Sequence, residues 1–313
     1  MRTRLTAVTA LALGAALTLA ACGEEEPAGE GTGEETATGT AELPDVEGGF
    51  GEPPTLEFGP GQAPADLETE VLQEGDGAEV GADDFVVADY HGQVWDVDEP
   101  FDTSFRRDAP SGFSLNGVVP GWKQGLTGTH VGDRVLLSIP PDLGYGAEGT
   151  QDGSVPPDST LVFVVDVVDR LDPDVTGEAD AEPVEPAPDL PVTVEGDLGA
   201  PATISVDEGA QPPAEVSATT VATGSGAPVQ PGRAALIQFA VTSWDNGQQQ
   251  STWESDGVTS VTIGQGSLFD QLADAPVGSR VVIQAPEQQG TGQTGPQPAI
   301  AMVVDVIDVI EPR

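Results

Sequence analysis

The chain has 313 residues, room for two domains of ordinary size. Its formal net charge is −43 and Lys123 is its only lysine. Phosphate is gripped by clustered Lys and Arg, so nucleic acid and anionic lipid headgroups are excluded as direct partners.

Residues 1–21 read as a signal peptide. Arg2 and Arg4 form a short positive start, and Leu5 to Leu19 is apolar but too short to span a bilayer. The segment ends in Leu19-Ala20-Ala21-Cys22, which resembles the bacterial lipobox. That resemblance implies cleavage before Cys22 and acylation of its thiol, giving an extracytoplasmic protein held to the cell membrane by lipid. The plainer alternative is a signal peptide cut after a small residue. Cys22 is the only cysteine, so no internal disulfide is expected despite export. Residues 22–42 are rich in Gly, Glu and Thr, which cannot bury surface, and read as a disordered tether.

Residues 43–172 carry the first folded unit. Leu43 to Gln62 is a Pro- and Gly-rich lead-in. Strands are expected at Leu67 to Leu72, Phe85 to Tyr90, Val135 to Ile139 and Leu161 to Val168, with a turn at Glu74 to Gly77. The last strand is apolar at nearly every position, so it should be central and covered on both faces. Gly117 to Leu126 predicts a helix of about two turns with Val119, Trp122 and Leu126 on one face, kept short by Gly121 and Gly125. A Trp there either staples the helix to a sheet or floors an aromatic pocket. One short helix among several strands gives an α+β class, an antiparallel sheet curled around that helix.

Charge-relay and metal chemistry have little to work with. His91 and His130 are isolated, and no Ser/His/Asp set or His/Cys cluster occurs, so neither a metal nor a cofactor is expected. Asp96 to Glu99 hints at calcium, but Pro100 follows and the loop glycine is missing, so a surface acid is the better reading. Gly290 to Gly295 matches a dinucleotide fingerprint in spacing, but Pro296 and Pro298 prevent the helix that would hold a pyrophosphate.

Five ordered motifs carry a more specific signal: Tyr90-His91-Gly92, Phe101-Asp102-Thr103-Ser104-Phe105, Val118-Val119-Pro120-Gly121-Trp122, Gly144-Tyr145-Gly146-Ala147, and Pro156-Pro157 followed by Thr160-Leu161-Val162-Phe163. Together, over roughly residues 66–171, they resemble the FKBP family of peptidyl-prolyl cis/trans isomerases. The resemblance implies Trp122 as the floor of a prolyl pocket and Tyr90, Phe101 and Phe163 as its walls. Val118 and Val119 would flank the entrance, with the Val119 N–H donating to substrate and Arg107 also among the substrate-binding residues. The Tyr145 hydroxyl would meet a substrate carbonyl, and Asp102 would bond to Tyr90 or pair with Arg107. The implied partners are proline-containing exported polypeptides, with macrolides as possible ligands of the same pocket. Taken one at a time, Tyr90, Phe101 and Phe163 read more readily as strand core, and the lesser alternative for Asp102 is a turn residue after a strand. Ser111 stands where the family usually has an aromatic, Asn116-Gly117 is a short loop, and Thr150 to Asp152 replaces a familiar His. A non-catalytic chaperone or protein-binding lipoprotein of the same fold is the alternative function.

Residues 173–189 read as an acid- and Pro-rich linker, and residues 190–313 as a second, degenerate copy of the fold. Leu43 to Gly48 returns as Leu190 to Gly196, Val131 to Val135 as Val277 to Val281, and Leu161 to Val167 as Ile300 to Val306. The pocket does not return. Tyr90 becomes Phe239, Trp122 becomes Leu268, Tyr145 becomes Thr291, Phe163 becomes Met302, and Phe101-Asp102 aligns with Trp253-Glu254. Two FKBP-like domains, each a curled antiparallel sheet wrapped on a short α-helix and the second with an apolar-filled pocket, is the resulting expectation.

Overall fold

A computed structural model of the protein describes residues 42–107, 109–255, 257–289 and 295–313. The stretch read as a signal peptide, Cys22, nearly all of the stretch read as a tether, Thr291 and most of the 290–295 glycine run lie outside those residues.

A lead-in hairpin, β1 (Asp45–Glu47) with β2 (Thr55–Glu57), opens the fold. It is followed by β3 (Glu68–Gln73), β4 (Phe85–Val94), β5 (Asp102–Thr103) and β6 (Ser111–Ser114). The one α-helix among the described residues, α1 (Pro120–Leu126), precedes β7 (Arg134–Ile139) and β8 (Leu161–Leu171). These strands form one antiparallel sheet in the order β3-β7-β8-β4-β5, with β6 also paired to β4. All four expected strands are present.

The apolar character of β8 has the expected cause. On one face Leu161, Phe163, Val165 and Val167 pack with Trp122 and Leu126 of α1. On the other, Val162 and Val164 lie under Leu43, Val46, Leu56 and Phe58 of the lead-in, beside Trp95. Buried Arg134 fastens that cover. Its Nε donates to Asp166 at 2.6 Å, its Nη1 to the Gly48 carbonyl at 2.6 Å and its Nη2 to the Glu52 carbonyl at 2.6 Å. Asp166 also accepts from the Gly51 N–H at 2.7 Å. Burial pushes the Asp166 carboxyl up, while Arg134 and the Gly51 N–H pull it back.

The glycines of α1 do different work from the expected one. A Cβ on Gly121 would lie 2.3 Å from Ile139 Cγ2, and one on Gly125 2.6 Å from Leu137 Cδ2. They let the helix lie against β7, and this close approach sets the depth of Trp122. The helix ends because Thr127 leaves helical geometry at ψ 126°.

The second half holds β9 (Glu182–Pro183), the hairpin β10 (Val192–Glu195) with β11 (Thr203–Val206), and β12 (Ser217–Thr223). Then come β13 (Ala234–Ser243), β14 (Gln249–Ser251), β15 (Thr259–Thr262), β16 (Arg280–Ala285) and β17 (Ile300–Ile310). Its sheet runs β14-β13-β17-β16-β12-β9, with β15 on β13, the same order as the first sheet plus β9 at the edge. The ladder irregularity at Val87/Ala88 in the first sheet recurs at Leu236/Ile237 in the second. The Arg134 clamp recurs as Arg280, which bonds Asp305 at 2.7 Å and the Ala200 carbonyl at 2.8 Å. A 3-10 turn, Leu268–Leu272, stands where α1 would be.

The stretch read as a linker is packed against this second sheet. Glu182 and Pro183 extend it by pairing with β12, Ala181 is buried, and the Gln238 amide donates to the Pro173 and Val175 carbonyls at 3.1 and 2.6 Å. The two sheets also share an apolar seam. Phe85 and Val87 of β4 pack with Leu236 of β13, Val258, and Ile310 of β17.

Candidate active site

The concave face of the first sheet is where the five motifs meet. Tyr90 and Phe163 sit on β4 and β8, whose register places Gly92 opposite Phe163. Gly92 is required there: a Cβ would lie 2.5 Å from Phe163 Cε1 and 2.9 Å from Phe101 Cζ. With no side chain at 92, the Phe101 and Phe163 rings close over the strand, their centroids 5.5 Å apart at 90°.

Trp122 lies beneath. Tyr90, Phe113 and Phe163 each meet it edge-on, with centroids at 5.7, 5.2 and 5.3 Å. Such T-shaped contacts are each worth about 0.5–1.5 kcal/mol beyond area burial. The Trp122 Nε1 is buried with no hydrogen-bond partner among the described residues, so packing holds the ring. The cavity above it is about 290 Å³ and is lined by Tyr90, Phe101, Asp102, Val118, Val119, Tyr145 and Phe163, with Phe113 and Gly117 completing the wall.

Phe113 was not picked out from the sequence. The local pattern Ser111-Gly112-Phe113-Ser114 carries no alternation to mark it; the strand pairing does, because Phe113 faces Val86 across the β4 ladder on the same side as Trp122. Ser111 does not line the cavity; its hydroxyl accepts from Arg107 at 3.3 Å.

The polar rim is a three-residue cluster. Tyr90 Oη donates to Asp102 Oδ2, while Arg107 Nη2 donates to Tyr90 Oη at 2.7 Å and its Nη1 to Asp102 Oδ1 at 3.3 Å. Burial, reinforced by Asp102, pushes the Tyr90 hydroxyl up to about 12, against the pull of Arg107. It is therefore a neutral donor at physiological pH. Asp102 makes both expected contacts, whereas Arg107, expected to help bind substrate, does not line the cavity; its guanidinium carbon lies 5.4 Å from the Tyr90 ring centre. Tyr145 is exposed at the rim, its hydroxyl pushed up mainly by partial burial. No cluster of three or more His, Cys, Asp or Glu suited to a metal occurs among the described residues.

The second sheet keeps a hollow at the equivalent place. Phe239 pairs with Val304 as Tyr90 pairs with Val165, and Met302 lies opposite Val241 as Phe163 lies opposite Gly92. The expected alignment of Phe101-Asp102 with Trp253-Glu254 does not hold. Ser251 pairs with Ala240 as Thr103 pairs with His91, which puts Gln249 and Gln250 in those positions. The expected filling-in does not hold either. A cavity of about 470 Å³ remains, lined by Phe239, Val241, Gln250, Leu268, Ile300 and Met302 among others. What is lost is the aromatic enclosure, because Val241 occupies the room that Gly92 leaves to two rings.

A model of the family described as FKBP-type peptidyl-prolyl cis-trans isomerase matches residues 77–168, the stretch that holds the whole Trp122 pocket. The FKBP-type peptidyl-prolyl cis-trans isomerase FkpA of Escherichia coli K12 is 40% identical over 124 residues, covering 39% of this chain and 45% of that relative's length. An FK506-binding protein of Streptomyces anulatus is 40% identical over 109 residues, covering 34% of this chain and 88% of the relative. A probable FK506-binding protein of Corynebacterium glutamicum is 40% identical over 106 residues, with the same shares. A relative matched along nearly its whole length at this identity fixes the family, and the chain belongs to the FKBP-type peptidyl-prolyl cis-trans isomerases.

Proposed function

We propose that the chain is a peptidyl-prolyl cis/trans isomerase acting on exported polypeptides at the Trp122 pocket, without metal or cofactor. The observation that carries this is the cavity walled by Tyr90, Phe101, Trp122 and Phe163, with the Tyr90–Asp102–Arg107 cluster at its rim. Rotation about an X-Pro bond breaks no covalent bond, but it must overcome about 18–20 kcal/mol of amide resonance. Uncatalysed exchange takes tens to hundreds of seconds. A cavity walled by Phe101, Phe163 and Trp122 strips water from the imide, which disfavours the planar, polar form. It accelerates rotation by holding the twisted form more tightly than either planar one. In this reading Tyr145 and the Val119 N–H meet substrate carbonyls, and Asp102, braced by Tyr90 and Arg107, faces the rotating group. The same walls would take a macrolide, with Ser111 and the short loop at Asn116-Gly117 altering its fit. Residues 43–172 are the active domain and residues 190–313 a degenerate copy whose hollow keeps Phe239 but lacks the aromatic enclosure. That hollow favours, as a second reading for the second half, a binding role without catalysis.

The test is exchange kinetics on a panel of X-Pro peptides with apolar residues before Pro. Acceleration by the chain, abolished when the pocket is blocked by a macrolide or by Phe101→Ala, is the expected result. Rates equal to the uncatalysed ones across the panel would refute the reading.

The membrane attachment is a proposal of the same kind. It is supported by a lone cysteine behind Leu19-Ala20-Ala21, and no helix among the described residues is long and apolar enough to cross a membrane. Cys22→Ser should move the protein from the membrane to the soluble fraction. A variant as membrane-bound as its parent would remove the lipid anchor from the account.

A further inference from the structure

The wall that carries Phe101, Asp102 and Arg107 is held from behind. After β5 the chain makes a 3-10 turn, Ser104–Arg106, and the Ser104 hydroxyl is its anchor. Ser104 Oγ accepts from the Tyr90 N–H at 2.9 Å and donates to Asp89 Oδ1 at 2.7 Å. Asp89 neighbours Tyr90 on β4, points to the opposite face, and is only 3% exposed. A carboxylate buried to that degree needs a cation.

That cation comes from the second half. Arg313 Nε donates to Asp89 Oδ2 at 2.9 Å, and its Nη2 also reaches Asp89 Oδ1. The same guanidinium donates to the Arg107 carbonyl at 2.5 Å and to the Ser104 carbonyl at 3.1 Å. It also lies 5.1 Å from the centre of the Phe105 ring. One side chain therefore ties down both ends and the middle of the turn whose flanks form the pocket wall.

The second sheet supplies an internal comparison. There Gln238 takes the place of Asp89 and Thr252 that of Ser104, with Thr252 Oγ1 accepting from the Phe239 N–H at 2.8 Å and donating to Gln238 Oε1 at 3.1 Å. No arginine arrives; the neutral Gln238 amide is satisfied by the Pro173 and Val175 carbonyls. The acid occurs where the arginine reaches, and the amide where backbone carbonyls do.

We propose that Arg313 is a positioning residue for the prolyl pocket of the first sheet, so that the second half acts on catalysis through Asp89 and Ser104. The proposal rests on the isomerase reading of that pocket, and its test separates the two. In the full chain, Arg313→Ala should lower kcat/KM by about tenfold at temperatures well below unfolding, and Arg313→Lys should recover most of it. In an Asp89→Asn background, which removes the buried charge, Arg313→Ala should cost less than about twofold. A readout independent of activity is available because the chain has only two tyrosines. In protein labelled with 3-fluorotyrosine, Arg313→Ala should shift the Tyr90 fluorine resonance and leave that of Tyr145 in place. Equal losses in both backgrounds, or parental kcat/KM with an unmoved Tyr90 resonance, would overturn the proposal, even if the melting temperature falls. If the parent itself accelerates no X-Pro exchange, the isomerase reading fails and the Tyr90 resonance alone decides whether Arg313 sets the wall.

Discussion

Arg134→Met should destabilise the first sheet by roughly 3–5 kcal/mol at neutral pH, as breaking a buried pair from one side does. Arg134 is 1% exposed and Asp166 fully buried. The substitution strands that carboxyl with only the Gly51 N–H, and leaves the Gly48 and Glu52 carbonyls without their donor. Burial already pushes Asp166 up, and losing Arg134 removes the group that opposes the shift. The sign of the pH effect follows. In the variant the folded state binds a proton that the unfolded state releases, so stability should fall as pH rises and recover partly on acidification. Chemical unfolding at neutral and mildly acidic pH measures this. The double variant Arg134→Met with Asp166→Leu should regain part of the loss, but not all, because the two lead-in carbonyls stay unpaired. A loss below 1 kcal/mol, or one that grows on acidification, would show that the lead-in is not fastened through Arg134.

That clamp also marks where the sequence stops being readable. The strands, the short helix and the central place of β8 follow from local pattern, because a period of two and an unbroken apolar run are properties of neighbouring residues. Trp122, Tyr90, Phe101 and Phe163 were legible as a set through five spaced motifs. The role of Arg134 was not, because its acceptors lie 32 residues downstream and more than 80 upstream. The packing of residues 173–189 was hidden for a related reason. Its acids and prolines read as solvated, and its place comes from partners far along the chain: buried Gln238 for the Pro173 and Val175 carbonyls, and β12 for Glu182 and Pro183. The hollow in the second sheet depends on Val241 standing opposite Met302 rather than glycine opposite phenylalanine, a matter of register that alignment by composition cannot resolve.

Trp122→Leu should lower kcat/KM by about 10- to 100-fold while the chain still unfolds cooperatively. Leucine is what the second sheet carries at the corresponding place, Leu268, so the fold is expected to accept it. No hydrogen bond among the described residues is lost, since Trp122 Nε1 has no acceptor there. The stability cost should therefore stay below the roughly 3–5 kcal/mol of a Trp→Ala change. The rate cost has a different origin. Three edge-on ring contacts converge on Trp122. Leucine leaves Tyr90, Phe113 and Phe163 without the plane they lean on, and the walls lose the spacing that favours a twisted imide. A loss of about 1.4–2.8 kcal/mol in transition-state binding corresponds to that range of rates. Single-turnover exchange on one X-Pro peptide, with thermal unfolding of the same sample, separates the two effects. The reciprocal change, Leu268→Trp, should not confer activity on the second sheet. Val241 still blocks the space that Gly92 opens for two rings, and Gln250 replaces the acid that Tyr90 and Arg107 brace. If Trp122→Leu kept parental kcat/KM, the aromatic floor would be dispensable, and the loss of Trp122 could no longer explain a catalytically silent second half.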